Sequence, residues 1–135
     1  MKCLVILLTS LAASKACSCI FPGTPKDAFC AADFVSHLKV ISKQDPTGCP
    51  GASFNVKYTV QHIKVFRKSS KAKQLSNVLE TSTSSCGLML TVGREYLIAG
   101  NIGEDGALSG HQCATNMNWA DVQQQDRDLL STYKC

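Results

Sequence analysis

Between residues 54 and 66 apolar and polar side chains alternate more regularly than anywhere else in the chain. Phe54, Val56, Tyr58, Val60, His62, Lys64 and Phe66 share one parity, and Lys57, Thr59, Gln61, Ile63 and Val65 the other. A period of two marks a half-buried strand, and the first set is the core-facing candidate. So long a strand should bend. Residues 34–41 alternate from Ser36 onward and are rich in β-branched and aromatic side chains, which predicts a second strand. A weaker strand is expected at 74–80, a short buried one at 95–100 and a last one at 107–113. Turn residues separate them: Asp45-Pro46, Gly48 and Pro50-Gly51 within 43–53, a basic turn at 67–73, the polar run 81–85 ending at Cys86-Gly87, and 101–106. About five strands joined by turns suggest a small all-β barrel or sandwich.

Two helical signals flank these strands. Thr24 and Pro25 suit the cap and first position of a short turn over 26–32. Near the end, Asn118 is a candidate cap with Asp121 three residues on. Trp119, Val122, Leu129, Leu130 and Tyr133 form an apolar stripe at near-helical spacing that should pack on the barrel.

The first residues change the picture. Residues 1–16 have a basic start at Lys2, an apolar run too short to span a bilayer, and small residues at the end, as a signal peptide does. Ser14 and Ala16 suit a cut before Cys17; cuts after Ala12 or Ala13 also fit. No second apolar stretch suits an anchor, so the expected product is a secreted, extracellular domain of residues 17–135 with no membrane span. The leader takes Cys3 and leaves Cys17, Cys19, Cys30, Cys49, Cys86, Cys113 and Cys135. That density implies a disulfide framework. Six cysteines can pair in about fifteen ways and one is left over. The formal charge of the 135 residues is +4. Removing Lys2 and Lys15 leaves 12 basic against 10 acidic side chains, too mild a surplus to imply nucleic acid.

The candidate chemistry lies at Cys17-Ser18-Cys19. A cut before Cys17 leaves a free α-amine on a cysteine. An amine and a carbonyl on one residue form a five-membered chelate, which suits the open coordination position of a catalytic zinc in another protein. The plainer reading is that both cysteines are only staples. Lys64, Arg67, Lys68, Lys71 and Lys73 make a basic segment, read either as a solvated hairpin tip or as a patch for heparan sulfate. His37, His62 and His111 lack metal-ligand spacing. Cys49 with a histidine could suggest a thiol hydrolase, but no local signature supports one, so no enzyme is expected.

Cys17-Ser18-Cys19, followed by Ala28-Phe29-Cys30-Ala31-Ala32-Asp33-Phe34-Val35, resembles the start of the tissue inhibitors of metalloproteinases. Glu95-Tyr96-Leu97-Ile98-Ala99-Gly100, Cys113, the Trp119 segment, Tyr133 and Cys135 resemble later signatures of that family. The likeness covers residues 17–135, but only the family's N-terminal inhibitory domain. It implies a mainly β, netrin-like module: a five-stranded OB-fold barrel with flanking helices, one of them C-terminal, stapled by three disulfides. The implied pairs are Cys17 with Cys86, Cys19 with Cys113, and Cys30 with Cys135. The implied activity is inhibition of zinc metalloproteinases, of the matrix metalloproteinase or adamalysin-like kind. Cys17 would meet the target's zinc through its amine and carbonyl, and the inhibitor would need no cofactor of its own. Ser18 would enter the specificity pocket, with Cys19, Ile20 and Phe21 along the cleft and Thr83, Ser84 and Ser85 as a second contact strip. The interval from Cys19 to Cys30 is one residue longer than is usual in the family, and the strip before Cys86 lacks a bulky or acidic residue. These departures motivate the alternative, a non-inhibitory netrin-like module that binds matrix or a receptor.

Overall fold

The computed structural model describes residues 17–20, 23–46 and 55–135. The expected leader, Phe21, Phe54 and the loop around Cys49 lie outside the described residues. The elements run in the order helix α1 (Pro25–Ala31), strand β1 (Phe34–Gln44), β2 (Asn55–Lys68), β3 (Val78–Ser82), β4 (Glu95–Ile102), β5 (Leu108–Ser109), β6 (Asn116–Asn118), a 3-10 turn (Trp119–Asp121) and helix α2 (Gln124–Leu130).

β1 pairs antiparallel with both β2 and β4, β2 with β3, and β4 with β5, while β3 and β5 run parallel. The circuit β1-β2-β3-β5-β4-β1 is therefore a closed five-stranded barrel with the OB-fold strand order, as expected. β6 continues the free edge of β4. The parity of β2 holds as far as Val60: Val56, Tyr58 and Val60 are buried and their neighbours exposed. Beyond Thr59 β2 no longer pairs with β3; Lys64 of the core-facing set is exposed and Phe66 packs on the outer core. The expected bend appears in the β1–β2 ladder as register shifts at Val35/Ser36, His37/Leu38 and Val40/Ser42.

β1 and β4 are buried on both faces, which creates two cores. Phe34, Leu38, Val40, Val56, Tyr58, Leu79, Ile98 and Leu108 fill the barrel. Val35, Leu97 and Ala99 point outward and are covered by Phe29 of α1, Val122, Trp119, Leu130 and Tyr133. The start of α1 is as predicted. The Thr24 hydroxyl accepts from the Asp27 amide (3.1 Å) and Pro25 opens the helix.

Four expectations need correction. β1 runs on to Gln44 instead of yielding to a loop at Lys43. The third strand starts at Val78, not at residue 74. Ser76 Oγ accepts from the Val78 amide and Asn77 O accepts from the Val60 amide, so 74–77 turns and plugs Leu75 into the barrel. The expected strand at 107–113 shrinks to β5, because His111–Ala114 form a turn (Ala114 N to His111 O, 3.1 Å) before the chain returns as β6. The closing helix is split: Asn118 makes no side-chain cap, and Val122 is extended between the 3-10 turn and α2. Trp119 stacks on the buried His37 ring (centroids 3.7 Å apart), and Val122 fills the outer core. At the break the Trp119 carbonyl keeps the 3-10 bond from the Val122 amide (3.2 Å), and Arg127 donates to both the Trp119 (2.7 Å) and Val122 (2.9 Å) carbonyls. Leu129 consequently faces solvent instead of joining the stripe.

Asp33 joins α1 to the barrel. Its carboxylate accepts from the Ile102 amide and the Lys71 ammonium, each at 2.9 Å. The amide bond, then the lysine, hold its pKa below the ordinary 3.8. A depressed carboxylate pKa stabilises the fold above the unfolded-state value, and that contribution is lost as pH falls through the folded-state value. Thermal melts from neutral pH into acid should show Asp33→Asn less stable at neutrality and losing less than wild type below about pH 4. Parallel stability–pH curves would refute this role.

Candidate functional site

The arm Cys17–Ile20 has neither helix nor strand and is held by covalent anchors. Cys17 is bonded to Cys86 (Cα–Cα 4.9 Å) and Cys19 to Cys113 (5.2 Å). The two disulfides touch, with 3.4 Å between Cys17 Sγ and Cys113 Sγ. Ser18 is thus pinned on both sides and exposed, and Ile20 stands almost wholly in solvent (97%). The third disulfide, Cys30–Cys135 (5.4 Å), fastens α1 to the segment after α2.

Barrel topology explains why both anchors lie together. β3 and β5 are parallel neighbours, so the segments that follow them leave the same end of the barrel. One carries Thr83, Ser84, Ser85 and Cys86; the other carries Cys113. Gln112 N donates to Cys86 O (2.9 Å) and bridges the two. Hydroxyl turns shape the strip: Ser84 N donates to Ser82 Oγ (3.0 Å), Cys86 N to Ser84 Oγ (3.4 Å) and Gly87 N to Ser84 O (3.0 Å). A Cβ on Gly87 would collide with the Ser82 carbonyl, so only glycine allows this turn. On the other segment, His111 Nδ1 accepts from the Cys113 amide (3.1 Å).

The structure therefore brings Cys17, Ser18, Cys19 and Ile20 to the barrel end from which residues 83–86 emerge. Thr83, Ser84 and Ser85 are exposed there. Phe21 lies outside the described residues. The sulfurs of Cys17, Cys19 and Cys113 lie within 4.8 Å of one another, yet all three belong to disulfides. They offer no thiolate for a metal.

The basic segment is largely engaged within the fold. Arg67 donates to Ala32 O (2.7 Å) and Cys30 O (3.2 Å), Lys71 pairs with Asp33, and Lys68 donates to Ala72 O (2.7 Å). Lys64 donates to Ser131 Oγ (3.2 Å) and stands over the Phe66 ring. Sequence reasoning missed Thr81, grouped with the polar run 81–85 but only 3% exposed. Its partners are 7 and 29 residues away in sequence, and no local pattern signals them. Among the described residues no helix is long and apolar enough to cross a membrane.

Comparison with known proteins adds a second line. A family model described as tissue inhibitor of metalloproteinase matches residues 15–135. The Caenorhabditis elegans protein tag-225, provisionally named a metalloproteinase inhibitor, is 33% identical over 98% of this chain and 96% of its own. Metalloproteinase inhibitor 2 of Homo sapiens is 34% identical over 96% of this chain and 57% of its own. Metalloproteinase inhibitor 3 of Scyliorhinus torazame is 33% identical over 90% of this chain and 53% of its own. The chain thus spans about half the length of these two vertebrate relatives.

Proposed function

Because the chain belongs to the tissue inhibitor of metalloproteinase family, whose members are inhibitors and not enzymes, we propose that it is a secreted inhibitor of zinc metalloproteinases that uses Cys17 as its zinc-directed group. The observation that carries this reading is the doubly pinned arm: two touching disulfides fix Cys17 and Cys19 on either side of exposed Ser18. The arm is ordered before a target arrives, which lowers the entropic cost of binding.

In this reading the leader is removed between Ala16 and Cys17. The freed amine and the Cys17 carbonyl take up coordination positions on the target's catalytic zinc. The amine must be neutral to do so; an α-amine has a reference pKa of about 7.7–8, so little free energy is needed near neutral pH. Chelation displaces the zinc-bound water that would attack the substrate. Ser18 points into the adjoining specificity pocket, Ile20 lies along the cleft, and Thr83, Ser84 and Ser85 form the second strip. The basic hairpin does not enter this reading; four of its five cations are hydrogen-bonded within the chain, the three lysines at the surface.

The processed, oxidised protein should inhibit at least one member of a panel of matrix metalloproteinases and adamalysin-like enzymes at micromolar concentration or below. Terminal sequencing and intact mass should place Cys17 first with an unmodified amine. A correctly processed protein that leaves the whole panel active would turn the reading to a non-inhibitory netrin-like module.

A further inference from the structure

We propose that Thr81 is a positioning residue for the inhibitory arm, because its one hydroxyl clamps together the two segments that carry the arm's disulfide anchors. Thr81 lies on β3 with its side chain buried at the barrel end. Its Oγ1 donates to Gly110 O (2.8 Å), three residues before Cys113, and accepts from Leu88 N (2.8 Å), two residues after Cys86. A hydroxyl is one of the few side-chain groups that can donate to one segment and accept from another at a single atom. Valine has nearly the same shape and can do neither.

The surroundings make this bridge consequential. The parallel ladder of β3 and β5 is short, Leu79↔Leu108 and Glu80↔Ser109, and the Gly110 amide adds one more bond to Glu80 O (3.1 Å). Beyond it the two segments diverge toward their cysteines. The Thr81 hydroxyl and the Gln112–Cys86 backbone bond then span them. The approach is close: a Cβ on Gly110 would stand 2.6 Å from Leu88 Cδ1. From the same side, the Tyr58 hydroxyl donates to Leu88 O (3.4 Å) and accepts from Leu90 N (3.2 Å). Tyr58 therefore fixes only the Cys86 segment, whereas Thr81 fixes that segment relative to Cys113. The spacing of Cys17 and Cys19 is inherited from the spacing of their partners, so the clamp sets the angle at which Ser18 and the Cys17 amine are presented.

This rests on the inhibitory reading for its functional consequence, so the test uses two readouts. Thr81→Val and Thr81→Ser are compared with wild type by inhibition constant, normalised to folded protein well below the melting transition, and by amide exchange. Thr81→Val is expected to weaken inhibition by roughly ten-fold or more, as loss of preorganisation does. It should also speed exchange at the Gly110 and Gln112 amides, which bond to Glu80 O and Cys86 O across the two segments, while leaving β1 unchanged. Thr81→Ser, which restores the hydroxyl, should come back to within about three-fold of wild type, near the limit of what such a comparison resolves. A Thr81→Val protein with a lower melting temperature but wild-type inhibition and wild-type exchange at Gly110 and Gln112 would reduce Thr81 to a core residue and overturn the proposal. So would a serine variant as defective as valine. If Thr81→Val does not fold, Thr81→Ala carries the same comparison. If wild type inhibits no protease, the inhibitory reading fails on its own, and the exchange data still decide for or against the clamp.

Discussion

A protein carrying one additional alanine ahead of Cys17 is expected to lose inhibition by about a thousand-fold, equivalent to roughly 4 kcal/mol, while melting at the wild-type temperature. The two outcomes separate because of where the change falls. An acyl group on the Cys17 nitrogen turns an amine into an amide, whose lone pair is delocalised into the carbonyl and no longer binds metal. It also sets a peptide group where the zinc should approach. The frame does not depend on that amine: Cys17 is held by its bond to Cys86, and Cys19 by its bond to Cys113. Chemical acetylation of the processed protein should act in the same way, provided that the surface lysines are controlled for. The unmodified protein should also inhibit less well as pH falls below about 7.7, where the amine is protonated and zinc must compete with a proton. Undiminished inhibition by the extended protein would exclude chelation and shift the binding energy to Ser18, Ile20 and the 83–85 strip.

How far the sequence foretold this arrangement can be judged residue by residue. The parity of Val56, Tyr58 and Val60 was readable because that part of β2 is paired along both edges, with one face on the core and the other in solvent. Thr24-Pro25 was readable because a cap and a first-turn proline are local signals. The position of β3 was not, since Leu75 is apolar for a plug as much as for a strand. The break at Val122 was hidden for a related reason: apolar residues at helical spacing also suit two short turns, and the contacts that go with the break, Arg127 on the Trp119 and Val122 carbonyls and Trp119 on the His37 ring, join residues that no local pattern pairs. At the candidate site, the residues on the arm were legible through the family's cysteine pattern. Thr81 was not, because its role arises only when the parallel pairing of β3 and β5 brings Leu88 and Gly110 to the same hydroxyl.

The second large effect concerns the disulfides, which should divide between stability and function. Cys30–Cys135 and Cys19–Cys113 have similar sequence separations, 105 and 94. The chain-entropy model gives each roughly 4–5 kcal/mol taken alone, a large share of the 5–15 kcal/mol by which small domains are stable. Serine pairs at either site should therefore lower the melting temperature comparably, by roughly 15 °C or more for a domain of this size. Inhibition should not follow stability. Cys30–Cys135 lies under the outer core, where Phe29 meets Tyr133 with ring centroids 5.2 Å apart, and no part of the arm depends on it. Cys30→Ser/Cys135→Ser should keep its inhibition constant within about three-fold at temperatures where it is folded. Cys19→Ser/Cys113→Ser removes one of the two pins on Ser18, so the arm must be ordered by the target itself. A loss of roughly a hundred-fold or more is expected there, the scale of ordering a few residues on binding. Melting curves combined with inhibition constants for the folded fraction make the comparison. Equal loss of inhibition in the two folded variants would mean that the disulfides act only through global stability, and that pinning the arm is not what prepares Cys17 for its target.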